Sequence, residues 1–414
     1  MEESGIGQKI RDGQEGRLMA TTAILAGTIL TPIGEITGGT ILIEAGRIVE
    51  LGPASKVKIP AGATLIDHQD RIVTPGFIDM HIHGAAGHDF MEATPAAIAE
   101  VGKFLARHGT TSYVATTVTA SAEKVAAAAQ GLGEIVRAYR SSDHTSGPVT
   151  AEPLGVHFEG PFLNVIRRGA HPEADIQKPN LESLKKFIEA AGGTARVLAL
   201  APEMDEGLKV LDYARSQGVR VGIGHSNATF EEAERGIAAG ATHAVHVYNA
   251  MRPFSHRDVG IIGAALTDDR LSVELICDGL HVEPAAVRLA AKAKGMSRII
   301  LITDSLSATG MPDGRYQLGL FTINMVNGVC RTEDGALAGS SIVLAQAVRN
   351  LSKFTGLSFK DCLTCATLNP ARLLGVENQK GVLAVGNDAD LAVLDKNFVV
   401  RQAYVGGRAA IGSA

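Results

Sequence analysis

The chain has 414 residues, 45% of them hydrophobic and 20% charged, with a net charge of −5. That length supports a large buried core, while the acidic balance supplies no basic field for nucleic acid or anionic lipid. Four cysteines, Cys277, Cys330, Cys362 and Cys365, are too few for a disulfide framework in a chain this long.

The chain opens with MEESGIGQKIRDGQEG, which is polar and glycine-rich and lacks the basic start and apolar core of a signal peptide. Residues 1–16 are therefore expected to form a disordered tail, and the protein is expected to be cytoplasmic. Leu18 to Gly34, LMATTAILAGTILTPIG, is the only stretch that resembles a membrane span. Its threonines, glycines and proline, and Glu35 directly after it, fit paired β-strands better, and no membrane association is expected. Short β-branched runs then alternate with glycine turns as far as Thr74: TAILAGTIL, GTILIEAGRIVELG and ATLIDHQDRIVTPG. The C-terminal GVLAVGNDADLAVLDKNFVVRQAYVGGRAA has the same texture. The two ends, 17–75 and 378–414, are expected to build one small β-sandwich domain.

Between them, residues 76–377 alternate apolar runs that end in polar residues with alanine-rich helical stretches. The runs are GFIDMHIH, TSYVATTV, LGVHFEG, ARVLALAPE, RVGIGHS, HAVHVYN, SVELICDG and RIILITDS. Apolar residues recur at helical spacing in AAIAEVGKFLARHG, SAEKVAAAAQGLGEIVRAYR, LESLKKFIEAAGG, EGLKVLDYARSQG, TFEEAERGIAAG and PAAVRLAAKAKG. Eight βα units in series predict an α/β fold, a (β/α)8 TIM-type barrel. A doubly wound open sheet is the alternative, but only a closed barrel brings all eight strand ends to one mouth.

The polar residues at those ends carry the functional reading. The first run ends in His81 and His83, the third in His157 and Glu159, and the fifth in His225. The sixth ends in His246 with Asn249 beyond, the seventh in Asp278 with His281 beyond, and the eighth in Asp304. Residues two apart on a strand share a face, so His81 pairs with His83 and His157 with Glu159. Imidazoles and carboxylates gathered at a barrel mouth are ligands for zinc or a similar divalent ion. A single histidine there would be a packing or rim residue; several together with a glutamate and an aspartate predict a metal centre. Asp304 ends an apolar run, where an unpaired carboxylate is costly. It is either a turn aspartate or a general base beside a metal-activated water, and the second role describes metal-assisted amide hydrolysis. Cys362 and Cys365 form a lone CxxC inside a helically periodic stretch, which predicts helix packing rather than a metal or redox site.

PGFIDMHIHG opening the barrel, with NPARLLG and KGVLAVGNDADLAVLD near the end, resembles the amidohydrolase superfamily. HFEGPFLN, GAHPE, GHSNAT, HAVHVYNAM, CDGLHV, TDSLSATGMPDGRYQLG and LAGS, in that order, resemble its N-acetylglucosamine-6-phosphate deacetylase branch over nearly the whole chain. The resemblance implies removal of acetate from the 2-acetamido group of an amino-sugar 6-phosphate. It implies that Glu159, His225 and His246 hold the main metal and that Asp304 is catalytic base and acid. His171 and His281 would contact the sugar and the acetamido carbonyl, and Asn249 and Ala250 the phosphate. Arg257 would reach the phosphate from a neighbouring subunit, which makes the protein a homodimer. Where the family carries a stretch close to REPG, this chain reads Arg257-Asp258-Val259-Gly260, and Arg252, Arg167 and Arg168 lie in nearby loops. Some family members replace the two histidines of the first strand and use one metal. This chain keeps His81 and His83, so two ions with Glu159 as bridge are expected. Zinc leads iron, manganese and cobalt as the ion, at one or two per subunit.

Competing readings are narrower. Hydrolases that bridge two metals with a modified lysine at the end of strand four do not fit ALAPE, which has none. A deaminase does not suit HFEGPF or YNAM, and a non-catalytic sugar-phosphate-binding barrel would not need Asp304. N-acetylgalactosamine 6-phosphate is the nearest alternative substrate.

Overall fold

The computed structural model describes residues 21–319 and 321–410; the expected tail over 1–16 lies outside them. Eight parallel strands form one sheet in chain order: Phe77–Ile82, Thr110–Thr117, Glu152–Glu159, Ala195–Leu200, Arg220–Ile223, His243–Ala244, Ser272–Ile276 and Ile299–Ile302. Backbone bonds between its two edges close it into a barrel: Asp304 N donates to His81 O, and His83 N to Ser305 O, each at 2.9 Å. Ile78, Val114, Val197, Ile276 and Ile300, one from each of five strands, share one buried apolar cluster, the packed interior such a barrel requires.

Helices separate the strands, and their starts follow from sequence. Thr94 caps Pro95–Arg107 and places a proline in its first turn. Thr229 and Glu232 form a reciprocal capping box on Phe230–Ala238. Some elements stand beyond those named from the sequence. Gly260–Thr267 is a helix whose residues as far as Leu266 are all buried. It shows no apolar stripe because no face of it meets water. After the eighth strand, Gly314–Leu318, Phe321–Val326 and Val329–Thr332 form a three-stranded antiparallel sheet that packs against the barrel mouth through Val118 and Leu306.

The two chain ends meet in one continuous seven-stranded sheet. Thr22–Thr31 pairs with Thr64–Pro75, and Thr64–Pro75 in turn with Leu391–Leu394. Ile24, Ile41, Val73, Leu391 and Tyr404 share its core. Lys380, 4% exposed, joins this sheet to the barrel: its Nζ lies 2.7 Å from Glu152, 2.9 Å from Asp388 and 2.7 Å from Asp390. These three carboxylates cluster closely enough to hold a cation, and the lysine ammonium occupies that role. The CxxC cysteines and Cys277 are buried free thiols. Burial pushes the Cys362 thiol up to about 12, which suits packing and not redox chemistry.

Candidate active site

The strand ends deliver their side chains by leaving the strand abruptly. His225, His246 and Asp304 have φ of 46°, 27° and 49°, and Tyr248 and Ala250 have 80° and 50°. Left-handed backbone at non-glycine residues costs about 1–2 kcal/mol each, and such conformations cluster at functional sites. Here the turns at His225, His246, Ala250 and Asp304 aim side chains into one cavity of about 200 Å³ at the barrel mouth, while the Tyr248 hydroxyl donates to Ala286 O instead. Its lining includes His83, Glu159, His171, His225, His246, Asn249, Ala250, His281 and Asp304. His81 lies fully buried beside them.

Glu159 is the hub. Oε1 has His81 Nε2 at 3.2 Å, His225 Nε2 at 3.2 Å and His246 Nε2 at 3.0 Å. Oε2 has His83 Nε2 at 3.0 Å and His171 Nε2 at 3.2 Å. Burial would raise the Glu159 carboxyl, but His81 and His171 hold it well below the usual carboxylate range. The ligand atoms fall into two compact groups, Glu159–His225–His246 and His81–His83–Asp304.

The donor set fits a cation. Arg167 O accepts from His225 Nδ1 at 2.9 Å, which leaves the Nε2 lone pair facing Glu159 Oε1 and, at 3.0 Å, His246 Nε2. Burial pushes His225 down to about 4, so its ring is neutral at pH 7. His81 Nε2 is close to Glu159 but not aligned for a hydrogen bond, and His246 Nδ1 has no partner. Acceptors converging on acceptors, with buried nitrogens left over, are the arrangement a divalent ion satisfies.

His171 plays another part. Thr119 N donates to its Nδ1 at 3.3 Å, so its Nε2–H points at Glu159 as a donor. His281 Nδ1 is held by Asp278 Oδ2 at 2.6 Å, which leaves Nε2 as its free ring nitrogen. Asp304 Oδ1 sits 3.3 Å from His83 Nε2 and 3.6 Å from His81 Nε2. Burial raises its carboxyl, but the His83 hydrogen bond and the His81 charge outweigh that and hold it low. The same pairing, working against burial, lifts His83 to about 9.

Arg257 stands apart. It is exposed in the loop after the sixth strand and does not line the cavity. Val259 stands where REPG has its proline, and Asp258 beside it grips Arg252, with Nε–Oδ2 at 2.9 Å and Nη2–Oδ2 at 2.6 Å. Arg167 Nε donates to Asn227 Oδ1 at 2.9 Å and Arg168 Nη1 to His171 O at 3.1 Å.

Three contributions escaped the strand-end reading. Glu274, mid-strand in SVELI, binds His81 Nδ1 at 2.9 Å; a lone acid in an apolar strand was its signal. Glu203 braces the loop of His225 by accepting from Ser226 Oγ and Asn227 N, both at 2.7 Å. Leu318 and Leu337, from and beside the three-stranded sheet, line one wall of the cavity.

Residues 72–410 match the Amidohydrolase family, and the chain belongs to it. The N-acetylglucosamine-6-phosphate deacetylase of Lysinibacillus sphaericus is 37% identical over 383 residues, covering 92% of this chain and 95% of that one. The N-acetylgalactosamine-6-phosphate deacetylase of Escherichia coli O157:H7 is 37% identical over 390 residues, covering 94% and 99%. A mutant N-acetyl-D-glucosamine-6-phosphate deacetylase of Mycobacterium smegmatis, solved in complex with N-acetyl-D-glucosamine-6-phosphate, superposes with a TM-score of 0.86 at 33% identity, covering 95% and 100%. Within the family, the chain falls among the N-acetylglucosamine-6-phosphate deacetylases.

Proposed function

We propose that this chain hydrolyses the acetamido group of N-acetylglucosamine 6-phosphate to give glucosamine 6-phosphate and acetate. The observation that carries the reading is the convergence of Glu159, His225, His246, His81, His83 and Asp304 at one barrel mouth. Glu159, His225 and His246 would hold one divalent ion, and His81, His83 and Asp304 a second, with Glu159 between them. The imidazole-rich set favours zinc, with iron, manganese and cobalt also compatible. Such an ion, when bound, supplies Lewis acidity to the amide carbonyl and makes water a better nucleophile at neutral pH.

The chain's own residues do the rest. Asp304 takes the proton of the attacking water and delivers it to the leaving nitrogen. His281, fixed by Asp278, offers Nε2 to a sugar hydroxyl, and His171, whose Nε2–H donates to Glu159, lines the same cavity. Asn249 and Ala250 receive the phosphate. The cavity lining contains no arginine or lysine, and the phosphate charge calls for one. Arg252, Arg167 and Arg168 are engaged where they stand, whereas Arg257 is exposed and makes no ion pair among the described residues. Arg257 thus fits the role that the family resemblance implies for it, serving the partner's phosphate in a homodimer. A cytoplasmic location is supported by four buried free thiols.

The 37% identity to the E. coli galactosamine-type enzyme favours one second reading, the N-acetylgalactosamine 6-phosphate substrate. Acetate release from both sugar phosphates, at matched metal content, tests the proposal. A kcat/KM higher for the gluco sugar supports the first reading, and the reverse supports the second. Metal-loaded protein that releases acetate from neither refutes both.

A further inference from the structure

Glu274 lies in the middle of the seventh barrel strand and is 0% exposed. A buried carboxylate there is costly unless it is paired, and nothing in strand packing asks for one. Its Oε2 accepts from His81 Nδ1 at 2.9 Å and from the backbone N–H of His246 at 3.2 Å. Its Oε1 stands 3.3 Å from His243 Nε2. His243 is tethered in turn by Thr242 Oγ1 at 2.9 Å. This carboxylate thus touches the side chain of one candidate metal group and the backbone of the other, from beneath both.

The geometry points to Glu274 as the positioning residue for the second ion. By claiming Nδ1 of His81 it fixes the ring's tautomer and orientation and leaves Nε2 facing Glu159 and Asp304. A carboxylate behind a histidine ligand holds the ring and raises its basicity. Through His246 N, the same oxygen sets the spacing of the two groups. The inference rests on the reading of His81, His83 and Asp304 as a second metal site.

The test is a zinc titration of metal-free full-length protein, read as ions bound per chain and as stepwise affinity. Wild type is expected to bind two ions. Glu274→Gln keeps the size of the side chain and loses its charge. It is expected to lose about 10- to 100-fold in affinity for one ion only, so that it carries one zinc after dialysis against limiting metal. Glu274→Asp, with the charge restored one methylene back, is expected to recover part of that loss. Near-ultraviolet circular dichroism of the metal-free forms separates this from general unfolding. If Glu274→Gln does not fold, Glu274→Asp is read alone, and a second-ion affinity below that of wild type supports the inference. Two ions bound by the variants with wild-type affinities overturn the role of Glu274 and leave the two-ion site standing. One ion per chain in wild type, with zinc and with cobalt, overturns the two-ion reading and this inference together.

Discussion

Replacing Arg257 by alanine probes how a cavity without a cation accepts a phosphate. A charge-assisted hydrogen bond is worth about 1.5–3 kcal/mol, so its loss lowers kcat/KM roughly 10- to 150-fold. The neighbours decide where in that range the loss falls. Arg252 is clamped to Asp258 at 2.6 Å, Arg167 to Asn227 at 2.9 Å and Arg168 to the His171 carbonyl at 3.1 Å. None is free to substitute, which places the loss in the upper half. The unphosphorylated sugar is expected to be unaffected. Subunit mixing then tests whether the arginine crosses the dimer. Arg257→Ala and Asp304→Asn chains are denatured and refolded together at equal concentration. Random pairing makes half the dimers hybrids, each with one complete site, so activity returns to about a quarter of wild type. An arginine acting within its own chain gives no recovery above the mean of the two parents. That result, or an equal loss on both sugars, overturns the assignment of Arg257 to the partner's phosphate.

Asp304→Asn should lower kcat by about 10²- to 10⁴-fold, with the ion at Glu159–His225–His246 retained by metal analysis; more than a tenth of wild-type turnover contradicts its role. Lys380→Met leaves three carboxylates around an empty centre and should cost about 3–5 kcal/mol of stability, measured by chemical denaturation; an unchanged midpoint shows the cluster to be neutral in energy. Chelation should abolish acetate release, and added zinc should restore it in step with bound metal. Activity that survives complete metal removal excludes the proposed chemistry.

Much of this site was legible because imidazoles and carboxylates ended apolar runs. His81, His83, Glu159, His225, His246 and Asp304 stand out for that reason, and the barrel brings five of them into one cavity with His81 buried beside it. Glu274 stayed hidden because it sits mid-strand, where the strand-end criterion does not look. The helix Gly260–Thr267 gave no periodic signal, since burial on every side removes the polar face that marks a helix. The three-stranded sheet does alternate, with Tyr316 and Leu318 more buried than Arg315 and Gln317, but its residues read first as a motif. The role of Asp258 depends on where Arg252 lies, and spacing along the chain carries no such distance.

In the proposed reaction, water cleaves the acetamido bond at this barrel mouth. Zinc-loaded protein is incubated with N-acetylglucosamine 6-phosphate in ¹⁸O-labelled water, and the products are weighed by mass spectrometry. Acetate carrying one labelled oxygen, equimolar with free amino-sugar phosphate and formed about 10²- to 10⁴-fold more slowly with Asp304→Asn, is the predicted result. Unlabelled acetate, or no acetate from fully metal-loaded protein, would contradict it.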